Sequence, residues 1–438
     1  MSQIIFLIIL ALVFYFAFGK FYQIKKNIDL GMDEKITGNK NERIKRLLLI
    51  ALGQKKMFER WVPGIFHFFI YVAFILTQIE LIEILIDGIF GKHRFFADKI
   101  GALYPIIINF IEMLSIDAFI GTLIFLSRRN LLKLPRFTSA EMKGWPFKDA
   151  NIILFAEIAL IIGIFSMNGA DVVLQTLQPE HYKPTGHLMI SSVLGPAIFG
   201  GLSIETLHII ERFGWWLHIS VVFGFILYLP YSKHLHIFLA FPNVYFSRLE
   251  PNGKMTNMPE IMNEVKSMFG IEVENAENNP ASTEIPIFGA ADVPQLSWLN
   301  ILNAYSCTEC GRCTSVCPAN ITGKKLSPRK VMMDVRDRAE EIGLAIKRQK
   351  IEKEVFNDGK NLFDHITREE IRACTTCNAC VEACPVLISP LDIIIKMRRY
   401  EILTESSGPP DWIPMFNAIE NSSSPWQMSV ARDEWTKS

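Results

Sequence analysis

Residues 4–22 read IIFLIILALVFYFAFGKFY, an unbroken apolar stretch whose one charge is Lys20. A helix needs roughly 20 apolar residues to cross a hydrocarbon core about 30 Å thick, so this stretch is predicted to span a membrane. It lacks a basic lead-in and a small-residue cleavage site, and so reads as a retained anchor rather than a removable leader. Four further stretches qualify: Val62 to Ile86, Ile100 to Leu126, Ile152 to Met167 and Trp215 to Leu239. Trp215 and Trp216 stand where an interfacial aromatic belt belongs. His187 to Leu207 is also apolar, but Gly195, Pro196, Gly200 and Gly201 spoil a regular span.

The composition fits five spans joined to a water-facing half. The 438 residues are 50% hydrophobic, with 45 Lys+Arg against 45 Asp+Glu, and the mean hydropathy is +0.23. A positive mean at 21% charged residues requires apolar residues to be segregated into membrane segments. A soluble single-domain enzyme and a secreted disulfide scaffold are both excluded. Zero net charge without a basic tail gives nucleic acid nothing to bind. The loop Lys20–Arg60 carries eleven Lys/Arg and Ser127–Asp149 six, against three in Asp87–Lys99 and one in Asp171–Glu211. The positive-inside rule then puts the N-terminus outside and the C-terminal half in the cytoplasm. The expected location is the cytoplasmic (inner) membrane, crossed several times.

Ionisable residues inside spans are costly in lipid and commonly face a protein or water-filled interior. Glu80 and Glu83 in the second span, Glu112 and Asp117 in the third and Glu157 in the fourth are candidate proton or quinone groups. Histidines add a second signal. His67 lies early in the second span, and His218 and His236 bracket the fifth. On one continuous helix, eighteen residues make five full turns, so these two share a stripe about 27 Å apart. His67 and His236 fall at similar depth and are predicted to clamp one haem b iron. His218 is the candidate for a second haem, with His187 and His208 as outside-facing alternatives. His234, about 160° around the helix from His218, is a weaker candidate.

The run Pro230, Tyr231, Ser232, Lys233 and then His236 resembles the end of the last helix of the cytochrome b subunit of respiratory nitrate reductases. His218 falls at the offset of that family's other ligand. The resemblance covers about residues 1–245 and implies a five-helix cytochrome b bundle. The family has two ligand histidines on its second helix; this chain keeps His67, with Thr77 where the other is expected, so one haem b or two are implied.

The second half carries CTECGRCTSVCP (307–318) and CTTCNACVEACP (374–385), both C-x2-C-x2-C-x3-C-P. Three closely spaced thiolates wrap one face of a [4Fe-4S] cubane, and the fourth is directed to the other cluster. Cluster one is therefore assigned Cys307, Cys310, Cys313 and Cys384, and cluster two Cys374, Cys377, Cys380 and Cys317. Zinc is the alternative occupant of thiolate-rich sites. Ser327-Pro328, Thr367 with Glu370, and Ser389-Pro390 are helix starts. They make this an α-helical ferredoxin domain, which resembles succinate dehydrogenase iron–sulfur subunits and the C subunit of heterodisulfide reductases. No G-x-G-x-x-G or Walker loop occurs, so neither flavin nor nicotinamide is expected on the chain.

The expected architecture is all-α: a membrane bundle over 1–245, a linker with one short helix over 246–300 (Pro259–Gly270, then the Pro- and acid-rich Glu272–Pro294), a ferredoxin domain over 301–404 and a tail over 405–438. Cytochrome b fused to a dicluster ferredoxin resembles membrane iron–sulfur oxidoreductases related to heterodisulfide reductase. Longer relatives continue into cysteine-rich CCG repeats; here NSSSPWQMSVARDEW resembles the junction before them. The resemblance implies a separate soluble CCG-domain subunit like the D subunit of heterodisulfide reductase, docked on the tail. It also implies a cytoplasmic electron donor or acceptor such as a flavoprotein, and menaquinone or ubiquinone in the membrane. The expected function is electron transfer between that partner and quinone. A membrane-anchored iron–sulfur redox sensor or scaffold is the alternative, distinguished by the absence of haem.

Overall fold

The computed structural model describes residues 2–252, 254–271, 287–425 and 433–437. The protein is all-α, and no strand occurs among the described residues. Five helical stretches are long and apolar enough to cross a membrane: Gln3–Ile28, Trp61–Phe90, Leu103–Asn130, Trp145–Leu177 and Ile204–Tyr231. Their outward faces are apolar, as at Phe14, Phe18, Phe155 and Phe213, which is the pattern of helices solvated by lipid rather than water. His187–Leu207 holds a short helix, Ser191–Phe199, and the residues from Ile204 already belong to the fifth span.

Spans four and five pack backbone to backbone. A Cβ on Gly214 would lie 2.7 Å from the Gly163 carbonyl oxygen, and one on Gly163 would lie 3.1 Å from the His218 nitrogen. Small residues at such a crossing let helices approach where lipid supplies no hydrophobic drive. Gly195 likewise seats the Ser191–Phe199 helix on Gly169 of span four.

Three sequence expectations are corrected. The fourth span is Trp145–Leu177 rather than Ile152–Met167, because polar Asp149, Asn168 and Asp171 are buried within the bundle and so do not end the helix. The fifth is not continuous to Leu239. Its α-helix ends at Tyr228, short 3-10 turns cover Leu229–Tyr231 and Lys233–Leu235, and a new helix starts at His236. Pro230 removes a backbone donor, and the Ser232 hydroxyl accepts the His234 N–H at 3.1 Å, so the chain turns. The single-stripe geometry for His218 and His236 fails with it. Finally, residues 287–294 are no free linker. Ala290 and Val293 are fully buried, the Ala290 N–H donates to the Lys396 carbonyl at 3.0 Å, and Asp292 pairs with Arg338 at 2.7 Å. The rest of the expected linker, 272–286, lies outside the described residues.

The expected helices of the second half are present. Pro328–Gln349 starts where the Ser327 hydroxyl accepts the Lys330 N–H, and Thr367 and Glu370 form a reciprocal capping box. The long helix stops at Lys350, in the left-handed region at φ 55°. The short helix Pro259–Met268 and the tail helix Trp412–Ser422 follow the expected order.

The two halves share a core. Ile24 of the first helix and Leu30 in the turn after it, with Leu229 and Leu235, pack with Ile301, Val331, Ile394 and Met397 of the cysteine half. The first helix therefore outruns the membrane. Lys20 pairs with Glu340 at 2.7 Å, and Asn27 donates to the Tyr305 hydroxyl at 2.8 Å.

Candidate functional site

Both cysteine runs fold into the same loop. Glu309 and Thr376 have φ of 55° and 56°, and Gly311 and Asn378 have φ of 71° and 61°. Each run thus alternates through the left-handed region at its third and fifth residues, the arrangement that turns successive N–H groups to one side. Glycine and asparagine are the residues that tolerate this conformation. At Gly311 a Cβ would also lie 2.4 Å from Arg329 Nη1.

The loops gather the thiols in two sets. Cys307 is faced by Cys310 and Cys384, Cys313 by Cys307, Cys310 and Cys384 and more weakly by Cys380 of the other set, and Cys384 by Cys310. Cys374 is faced by Cys317 and Cys377, and Cys380 by Cys374, Cys317 and Cys377. The last cysteine of each run thus crosses to the other set. Burial, reinforced by neighbouring thiols, pushes Cys307 and Cys380 up to about 12 and Cys384 to about 11. Thiolates can persist there only beside compensating positive charge, as iron provides. Backbone N–H groups already point at sulfur: Thr376 at Cys374 Sγ (3.4 Å) and Ile388 at Cys384 Sγ (3.3 Å). These are the hydrogen bonds that set cluster potentials. No three His, Cys, Asp or Glu side chains among the described residues close on a single metal ion.

The first set sits against the membrane half. Arg312, between Cys310 and Cys313, donates to the carbonyls of Lys56 (3.0 Å) and Met57 (3.3 Å). Lys233 pairs with Glu309 at 2.6 Å, and Arg336 holds the other Glu309 oxygen at 2.8 Å. Burial alone would raise the Glu309 carboxyl, but Lys233 and Arg336 outweigh it and hold it below the usual range.

Above this contact, the His67 and His236 rings lie 6.5 Å apart, centre to centre, at 44°. Two imidazole nitrogens each about 2 Å from one metal, with ring centres about 1.1 Å behind them, give about 6.2 Å. Nδ1 of His67 meets Gln54 Oε1 at 3.0 Å, and Nδ1 of His236 meets the Lys233 carbonyl at 2.8 Å. Both contacts use Nδ1 and leave Nε2 as the available nitrogen, the arrangement common among metal-bound histidines. The pair therefore fits an axial histidine pair. Gln54 gave no sequence signal; it is buried with φ 50°, a conformation a non-glycine residue adopts only when its surroundings impose it.

The other histidines fit less well. His234 stacks on Phe225 at 5.6 Å and lies 5.9 Å from His236, beside the pair instead of on the opposite side as helical phase implied. His218 hydrogen-bonds through Nδ1 to the Leu160 carbonyl at 3.1 Å, and no histidine ring pairs with it among the described residues. Both ring nitrogens of His208 are engaged, by the Tyr182 hydroxyl and Gln178. The His187 carbonyl accepts from Asn109.

The span acids divide. Glu112 accepts the N–H groups of Ile190 (2.9 Å) and Ser191 (3.3 Å), which makes it a cap for the Ser191–Phe199 helix. Glu157 accepts from the Thr122 hydroxyl at 2.9 Å. Asp117 is half-buried. Glu80 and Glu83 join a network with Arg94, Tyr104, Asn168 and Asp171 at the end of the bundle away from the cysteines.

Residues 306–388 match the 4Fe-4S dicluster domain family. The chain is 27% identical to a probable iron-sulfur-binding oxidoreductase FadF of Bacillus subtilis (strain 168), over 93% of this chain and 57% of the relative. It is 25% identical to an EtfAB:quinone oxidoreductase of Syntrophomonas wolfei subsp. wolfei, over 98% and 58%. A probable membrane-anchored ferredoxin of Chromohalobacter salexigens is 32% identical over 28% of this chain and 20% of its own. The chain thus spans under three fifths of the first two relatives, and no solved structure matches it. A 4Fe-4S dicluster domain thus follows a half with five helices long and apolar enough to cross a membrane.

Proposed function

We propose that this protein is the membrane subunit of an iron–sulfur oxidoreductase that passes electrons between a water-soluble redox partner and the quinone pool. The observation that carries the proposal is the pairing of His67 and His236, whose ring centres lie 6.5 Å apart, next to Lys233, which offers its carbonyl to His236 and its ammonium to Glu309 of the Cys307–Cys313 loop. Cys307, Cys310, Cys313 and Cys384 hold one [4Fe-4S] cluster, and Cys374, Cys377, Cys380 and Cys317 the other; His67 and His236 hold haem b. These groups supply one-electron steps that the polypeptide cannot. The chain's own residues fix their surroundings: Gln54 and the Lys233 carbonyl orient the imidazoles, and the shared core excludes water between the halves. Any second haem would use His218, with His187 and His234 as weaker candidates.

The partner is a flavoprotein or a CCG-cysteine subunit, docked on the cysteine half and the tail helix Trp412–Ser422; part of the tail, 426–432, lies outside the described residues. The acceptor is menaquinone or ubiquinone among the spans, with Glu80, Glu83, Glu112, Asp117 and Glu157 as its available proton groups; the Glu112 cap makes it the least free of the five. The cysteine half faces the cytoplasm and the N-terminus faces outside, as the loop charges direct. The EtfAB:quinone oxidoreductase similarity over nearly the whole chain supports the quinone assignment. The test is a dithionite-reduced-minus-oxidised spectrum of the detergent-purified protein, with haem and iron quantified. A b-type spectrum abolished by His67→Ala and His236→Ala supports the proposal. Eight irons without haem would leave a membrane-anchored ferredoxin.

A further inference from the structure

Glu80, Glu83 and Asp171 come from two spans and are 4%, 2% and 0% exposed. One guanidinium, that of Arg94, stands among them. Arg94 follows the second span, and its backbone is left-handed at φ 54°, a conformation costly for a non-glycine residue. The Asp87 carboxylate holds the N–H groups of Arg94 and Phe95, at 2.9 and 3.1 Å, and the side chain turns inward. Arg94 pairs with Asp171 at 3.1 Å and lies 3.7 Å from Glu80. Asn168 accepts from Arg94 and donates to Glu80 at 3.3 Å. Glu83 accepts from the Tyr104 hydroxyl and the Phe96 N–H, both at 2.8 Å.

Three ionised carboxylates against one guanidinium would leave two uncompensated negative charges inside a lipid-solvated bundle. Uncompensated charge is costly in that setting, so the cluster must take up at least one proton. Glu80 is the carboxyl least supported as an anion: it accepts one amide hydrogen bond, from Asn168 at 3.3 Å, and meets Arg94 only at 3.7 Å, whereas Glu83 accepts two hydrogen bonds at 2.8 Å and Asp171 pairs with Arg94 at 3.1 Å. Asp171 shows where a proton enters. Its Oδ2 is taken by Arg94 and Gln175, whereas the fully buried Oδ1 accepts no hydrogen bond. His93 Nε2 faces that atom at 3.3 Å, and the His93 side chain is 30% exposed. Tyr182 lies against the other side of that ring, at 5.0 Å.

We propose that this cluster is a proton-holding site connected, through Asp171 and His93, to the membrane face opposite the cysteine half. A proton on Glu80 leaves Arg94 to Asp171. A proton handed from His93 to Asp171 Oδ1 leaves Arg94 to Glu80, which then releases its own proton toward the bundle interior. One proton enters and one leaves, and Arg94 changes partner. The site stands on these residues alone, whether or not haem or quinone binds.

The experiment is infrared spectroscopy of the detergent-purified full chain at neutral pH, following the C=O stretch of protonated carboxyls after transfer to D2O. The expected result is a protonated-carboxyl band that loses intensity in Glu80→Gln and whose deuterium shift slows at least about tenfold in His93→Gln and Asp171→Asn. Asp171→Asn removes the Arg94 partner and can unfold the bundle; the half-exposed His93 position is free of that problem. A band unchanged by Glu80→Gln, or wild-type exchange in His93→Gln, would overturn the proposal.

Discussion

Gln54→Leu is the most informative single change at the proposed haem site. The Gln54 carbonyl oxygen is the acceptor for His67 Nδ1, at 3.0 Å, and leucine keeps the volume while leaving that N–H buried and unpaired. An unsatisfied buried donor costs about 1–3 kcal/mol, and loss of the group that orients a metal-bound histidine typically weakens metal binding about 10–100-fold. The two figures agree, since 1.4 kcal/mol is about tenfold. The assay is haem titration of haem-depleted protein, read by the b-type absorption band, with thermal unfolding as a check that the bundle is intact. Gln54→Glu restores an acceptor and should retain haem, with a lower reduction potential because a carboxylate makes the imidazole a stronger donor. Wild-type haem affinity in Gln54→Leu would refute the assignment of Gln54 as the orienting partner, and haem retention in both His67→Ala and Gln54→Leu would refute the site.

Gly311→Ala adds a Cβ at φ 71°, 2.4 Å from Arg329 Nη1, and should lower bound iron and sulfide per chain, whereas Asn378→Gly at the matching position of the second run should leave both unchanged. Gly214→Val forces spans four and five apart at the Gly163 carbonyl and should destabilise the protein by about 1–3 kcal/mol or more, measured by thermal unfolding in detergent. Burial would raise Asp392, but Lys396 and Arg248 prevail and hold it at about 2. Its contribution, about 2 kcal/mol from a depression below the ordinary 3.8, is complete above about pH 4 and lost as pH falls toward 2. Asp392→Asn should therefore lower the unfolding temperature at neutral pH and flatten that acid dependence.

The membrane spans and cysteine loops were legible because each is written in local sequence: long apolar windows, and a duplicated spacing with cysteine at its first, fourth, seventh and eleventh positions. Helix starts at Ser327, Thr367 and Ser389 were legible for the same reason, since a cap is a contact over three residues. The break between Tyr228 and His236 was missed although Pro230 and Ser232 both signalled it, because apolar residues resume beyond Ser232–His234, at Leu235 and Ile237 to Leu239. Arg94 reads as a loop charge, yet it is 6% exposed; packing of the second, third and fourth spans around it supplies its partners. Lys20, Gln23 and Asn27 look like the polar end of an anchor, but the cysteine half covers them. Gln54 and Asp171 depend on neighbours far away in the chain, and nothing local to either residue announces them.

The most direct test of quinone-linked electron transfer is anaerobic stopped-flow mixing of the dithionite-reduced, reductant-free protein with a water-soluble menaquinone analogue, following haem and iron–sulfur absorbance together. The expected result is reoxidation of both on one time course in the wild type, with cluster reoxidation slowed at least about tenfold in His236→Ala, since removing a positioned step costs a large factor in rate. Clusters that reoxidise at the same rate in wild type and His236→Ala, or that are not reoxidised by the quinone at all, would contradict it.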